Sequence, residues 1–123
     1  MKLAIIITTD PNNGEEALGR LFNGLAVAAE ALGKNDEVNI LFVGTGTRWP
    51  AELTKLSHPA NGLYNAVRTA VIGASCGCSA AFGASSGVEA CGLSQIKDFA
   101  LAGTPGIASL HRYLSEGWQT LIF

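Results

Sequence analysis

Charge is scarce in this chain. Only 15% of its 123 residues are Asp, Glu, Lys or Arg, against 48% hydrophobic. Eight basic and ten acidic residues leave a formal net charge of -2, with no basic patch and no arginine-rich run. Nucleic acid is therefore not an expected partner, because binding it requires a positively charged footprint. No apolar stretch reaches the roughly 20 residues that span a bilayer, so no membrane role is expected. Met1 to Thr9 lacks a small-residue cleavage pattern, so no signal peptide is read and the expected compartment is the cytoplasm. Cysteine is also scarce. Three of them, an odd number, argue against a disulfide framework. In a reducing compartment they are more often catalytic, redox-active or metal-binding than bridged. No repeat, low-complexity segment or linker divides the chain, so residues 1–123 read as one domain. With so little charge for its size, a homo-oligomer is expected, since an obligate interface resembles a core cut in half.

What is present alternates between strands and helices. Residues 3–8 form an unbroken β-rich apolar run that reads as a central parallel strand. Apolar residues from Ala17 to Leu32 recur at helical spacing, with Glu15 and Glu16 in the first turn and Gly33 as the stop. Residues 38–43 read as a second strand. A short helix near 50–56 and another over 63–69 lead to a third strand at 70–75. Residues 79–97 follow no clear pattern. Residues 99–102 read as a fourth strand. Thr104 and Pro105 look like the cap and first position of a last helix, ended by Gly117, before a strand at 119–123. This order implies a three-layer α/β/α sandwich with a mostly parallel five-stranded sheet and flavodoxin-like architecture.

Cys76-Gly77-Cys78 sits where the third strand gives way to a helix. Ligands and chemistry gather at the carboxyl ends of parallel strands. A helix start there favours negative charge, and the thiolate is cysteine's reactive form. Cys78 is expected in the first helical turn and Cys76 at the strand end. A bridge between them needs a bent backbone and would be easily reduced. Cys91 reads either as a resolving thiol or as a small buried hydrophobe, and burial is equally open for the other two. Zinc ligation by the cysteines with His58 or His111 fits poorly, because C-x-C is not the usual knuckle spacing, and no metal is expected.

The loop Thr9-Asp10-Pro11-Asn12-Asn13-Gly14 has exposed N–H groups suited to an anion, or is ordinary capping by Asp10 or an Asn. It is neither a Walker loop nor a dinucleotide fingerprint, so no cofactor is expected. Gly44 and Gly46 mark a turn or a second wall of the same crevice. Arg48 and His58 are candidates to stabilise a thiolate or persulfide across it.

Three features resemble the DsrE/DsrF-like group of small sulfur-relay proteins. A first strand runs into Thr9-Asp10-Pro11 and an Ala/Leu-rich helix. A second strand reads Asn39-Ile40-Leu41-Phe42-Val43-Gly44-Thr45-Gly46. A cysteine ends the third strand before a short helix. The resemblance implies trimers or hexamers and a cysteine that accepts persulfide sulfur from a donor protein and passes it on. Carried onto this chain, that cysteine is Cys76 or Cys78, with Cys78 slightly preferred for its place at the helix start. The family often places two residues between two cysteines here, whereas this chain has one. The competing expectations are a non-catalytic module for a small anion or nucleotide, and a redox sensor toggling a Cys76–Cys78 bridge.

Overall fold

The structure, a computed structural model, describes residues 1–123. Five strands, β1 (Lys2–Ile7), β2 (Glu37–Phe42), β3 (Val71–Ser75), β4 (Gln95–Ile96) and β5 (Gln119–Ile122), form one sheet in the order β4-β3-β2-β1-β5. Every pairing is parallel, from Leu3 beside Val38 to Ser75 beside Ile96. Helix α1 (Gly14–Gly33) joins β1 to β2. A 3₁₀ turn (Gly44–Arg48), α2 (Trp49–Leu53) and α3 (Asn61–Val67) join β2 to β3. Helices α4 (Cys76–Ala81) and α5 (Ser85–Ala90) join β3 to β4, and α6 (Leu110–Ser115) precedes β5. The three-layer α/β/α sandwich expected from the sequence is what the chain forms.

The topology decides which face each helix covers. From β1 to β4 the chain steps across the sheet in one direction, and right-handed crossovers put all those helices on one face. It then crosses back from β4 to β5, which puts α6 on the other. Alternation along the strands matches. Leu3, Ile5, Ile7, Ile40 and Phe42 join a core of 19 buried residues with α1's Leu21 and Leu25, α3's Tyr64 and α5's Val88. Ala4, Ile6 and Leu41 face the other way, into a core of six with Ala108, Tyr113 and Trp118. One face is thickly covered and the other thinly.

Three details differ from the sequence reading. The fourth strand is Gln95–Ile96, not 99–102. Phe99 instead pairs antiparallel with Ile107, exchanging two backbone bonds of 2.9 Å. Thr104 and Pro105 do not start a helix. The Thr104 hydroxyl donates to the Leu101 carbonyl and accepts from the Gly106 N–H, which closes a turn. Helix α6 begins at Leu110, capped by Ser109, whose Oγ accepts from the Arg112 N–H. Finally, α1 ends at Gly33 as expected, but the positive φ that follows it, 63°, is taken by Asn35 and not by a glycine. Residues 79–97, unreadable by pattern, hold the end of α4, all of α5 and β4. No helix is long and apolar enough to cross a membrane.

Candidate functional site

β3 leaves the sheet toward the thick face through α5, whereas β4 leaves toward the thin face through residues 97–109. Their carboxyl ends therefore bound a topological switch point, where open α/β sheets bind ligands. A cavity of about 620 Å³ lies there. Val43 and Gly44 line it from the end of β2, and Ser75 and Cys78 from β3 and α4. Phe99, Ile107 and the run Ala108 to His111 close it from the far side.

That far side is a strap, and it is tied down at several points. The Gly77 N–H donates to the Gly106 carbonyl at 2.8 Å. The Ala108 N–H donates to Ser75 Oγ at 3.0 Å. The Ser109 N–H donates to Asp98 Oδ1 at 2.7 Å, and Asp98 also pairs with Arg112 at 3.3 Å. Ser75 is 1% exposed. Its hydroxyl goes to the strap instead of capping α4, and its carbonyl accepts from Ser79 Oγ. Gly77 is glycine for a packing reason: an added Cβ would sit 2.8 Å from Ile107 Cγ2 and 3.1 Å from the Gly106 carbonyl.

Cys76 is not at the strand end, as the sequence suggested, but is the first residue of α4. β3 ends at Ser75, the extended residue that immediately precedes α4. Cys76 and Cys78 therefore share one helical turn. Residues two apart on a helix do not face each other, so a bridge between them requires α4 to unwind. Both are free and half-buried, and only Cys78 lines the cavity. Cys91 stands apart at the end of α5, in a cavity of about 360 Å³ with Thr54 and Arg68. Its Sγ lies 3.8 Å from Thr54 Oγ1. Nearby Tyr64 has its pKa raised, first by burial, with Arg68 opposing.

Of the loop residues singled out in the sequence, Gly44 joins the Cys78 cavity, at a φ of 57°. Gly46 does not; its role is packing, since a Cβ there would run into the Ile7 carbonyl. Asp10 and Arg48 pair with each other at 2.6 Å. Arg48 Nε also donates to the Phe82 carbonyl at 3.1 Å, with its guanidinium 5.8 Å from the Phe82 ring centre. The pair braces the first loop against the end of α4 and stands outside the cavity. Asp10 Oδ1 accepts from the Asn12 N–H, so it shapes the loop and does not cap α1. Thr9 offers its carbonyl to Trp49 Nε1 at 2.7 Å. His58 packs edge-on to Trp49 and accepts from the Ala60 N–H.

Sequence reasoning missed Phe99, Ile107, Ser109 and Leu110 as site residues, and weighed His111 only as a zinc ligand. The strap returns to α4 through backbone bonds that leave no periodic trace. The one local signal was Gly77, a small residue between two thiols. No group of three or more His, Cys, Asp or Glu is arranged to hold a metal. No family model, curated protein or solved structure matches the chain.

Proposed function

We propose that the protein is a sulfur carrier in which Cys78 accepts a sulfane sulfur and passes it on. The observation that carries this reading is the position of Cys78: a free thiol in the wall of a cavity at the switch point of the sheet. The resemblance to the DsrE/DsrF-like group supports the same chemistry. Only Cys78 lines the cavity, which supports the slight preference for Cys78 over Cys76 read from its place at the helix start. Cys91, in its own cavity, is not assigned as a resolving thiol. The reading requires a reducing compartment, such as the cytoplasm, where the thiol stays free.

Self-association is part of the proposal. Leu110, Leu114 and Ile122 expose apolar surface on the thinly covered side, with Leu114 at 63% and Ile122 at 66%. β5 leaves a sheet edge unpaired, a surface that a second chain can extend. Light scattering that returns a monomer at all concentrations overturns this part alone. For the carrier itself, intact-mass analysis after treatment with a persulfide donor is decisive. One added sulfur in the wild type and in Cys76→Ser, absent in Cys78→Ser, is the expected outcome. Uptake that survives Cys78→Ser overturns the assignment.

The cavity also favours a second reading, a binding module in which Cys78 only packs. That module would show ligand-dependent stabilisation without any sulfur uptake.

A further inference from the structure

The wall of the Cys78 cavity has a consistent chemistry. Val43, Phe99, Ile107, Ala108 and Leu110 supply most of it, and no Asp, Glu, Lys or Arg lines it. Of the nearby charges, Arg48 pairs with Asp10 and Arg112 with Asp98 and the Tyr113 hydroxyl, while Lys97, in the strap, is exposed and does not line the cavity. Of the polar side chains that line it, the two serines are committed, and His111 stands exposed at its edge. Ser75 Oγ accepts from Ala108, and Ser109 Oγ accepts from Arg112. At about 620 Å³ the space falls within the range of small-molecule sites, roughly 300–1,000 Å³. The strap that forms its outer wall is fastened to β3 and α4 at Gly106 and Ala108 and closed on itself by the Ser109–Asp98 bond, so the wall exists before any ligand arrives.

We propose that this cavity takes the uncharged, apolar body of a low-molecular-weight persulfide, R–S–SH, and presents its outer sulfur to Cys78. The inference rests on the reading of Cys78 as the sulfur acceptor and names the donor class. In the step, the Cys78 thiolate attacks the outer sulfur of R–S–SH. The donor S–S bond breaks as the new Cys78 S–S bond forms. The leaving thiolate takes up the proton that Cys78 gave up, so Cys78–SH and R–S–SH become Cys78–S–SH and R–SH. No external oxidant or reductant is involved. A donor such as glutathione persulfide carries carboxylates and an ammonium group. Entering this cavity would strip their hydration, and no Asp, Glu, Lys or Arg in its wall would pair with them, which is costly.

The test compares benzyl persulfide with glutathione persulfide on the full chain. Initial rates of one-sulfur gain are read by intact mass and divided by each donor's rate with a free small thiol. The neutral donor is expected to be faster by about tenfold or more, the scale of an unpaired charge entering an apolar site. Leu110→Lys, at an exposed position on the cavity wall, is expected to shift the preference toward the charged donor. Equal normalised rates in the wild type overturn the apolar donor and leave Cys78's role standing. No sulfur gain from either donor overturns the carrier reading itself. A binding arm uses Cys78→Ser, which cannot accept sulfur. Benzyl mercaptan should raise its melting temperature and glutathione should not; no rise with benzyl mercaptan overturns occupancy of the cavity.

Discussion

The two faces of the sheet are built to different ends. The thick face carries 19 buried residues, with the 20-residue α1 laid along β1 and β2. The thin face carries six, covered by one short helix and a strap. Each fully buried Leu or Ile contributes about 1.5–3 kcal/mol relative to exposure, so the thick face supplies most of the folding free energy. The thin face gives up burial and gains a cavity with a thiol in its wall. Its cover is held by specific hydrogen bonds more than by bulk packing. Most of the burial and the thiol-lined cavity lie on opposite sides of one sheet.

The contrast is broken most severely on the thick side. Leu25→Ala, at a position with no exposure, should cost about 3–5 kcal/mol in urea unfolding. Leu114→Ala on the thin side, 63% exposed, should stay within about 0.5 kcal/mol. Similar costs at the two sites would mean that the faces do not differ as described.

Gly77→Ala tests the strap. The new Cβ meets Ile107 and the Gly106 carbonyl, and should cost about 1–3 kcal/mol by overpacking. Hydrogen exchange should quicken at the Gly77 and Ala108 amides while α1 stays protected, and sulfur uptake should fall with it. Unchanged exchange at those amides would mean that the strap is not held there.

Two buried tyrosines sharpen the comparison. Tyr113, on the thin face, accepts from Asn39 Nδ2 and from Arg112, each at 3.2 Å, and the latter bond raises the Arg112 pKa. Its ring meets Trp118 edge-on at 5.2 Å. Tyr64, on the thick face, is fully buried and its hydroxyl has no partner. Tyr113→Phe should therefore cost about 1 kcal/mol, whereas Tyr64→Phe should be neutral or slightly stabilising. The reverse order in chemical denaturation would contradict the bonding described.

Alkaline pH gives a smaller, signed effect. Burial raises the Tyr64 pKa above 10.0. Between that value and the raised one, the unfolded chain loses its proton while the folded chain keeps it. Stability from this group is intact below pH 10 and is lost as pH rises through that window. Tyr64→Phe should flatten that part of the stability profile. An unaltered alkaline slope in the variant would assign it to other groups.

How much of this was legible beforehand depended on whether local pattern or distant closure set the feature. The strands at Leu3–Ile7 and Ile40–Phe42 and the long helix announce themselves by period, because each must bury a repeating face. The strap did not. Phe99 to Ala102 has strand-like composition, but its partner is Ile107 across a turn, not the sheet. Thr104-Pro105 carries a helix-start signal that the Thr104 turn overrides. Cys78 was found through the strand-end rule. The surroundings that distinguish it from Cys76 come from residues some thirty positions further along the chain, such as Ala108, bonded to Ser75. Arg48 and Asp10 were read as ligand-facing, yet they satisfy each other, as a cation and a carboxylate brought together by loop closure will do.

The most direct test of the central claim is peptide mapping of the wild-type chain after exposure to a persulfide donor, with all three thiols followed in one sample. The account predicts added sulfur on the peptide carrying Cys78, located at Cys78 by fragmentation, with Cys76 and Cys91 unmodified. Sulfur on Cys76 or Cys91, or on none of the three, would contradict it.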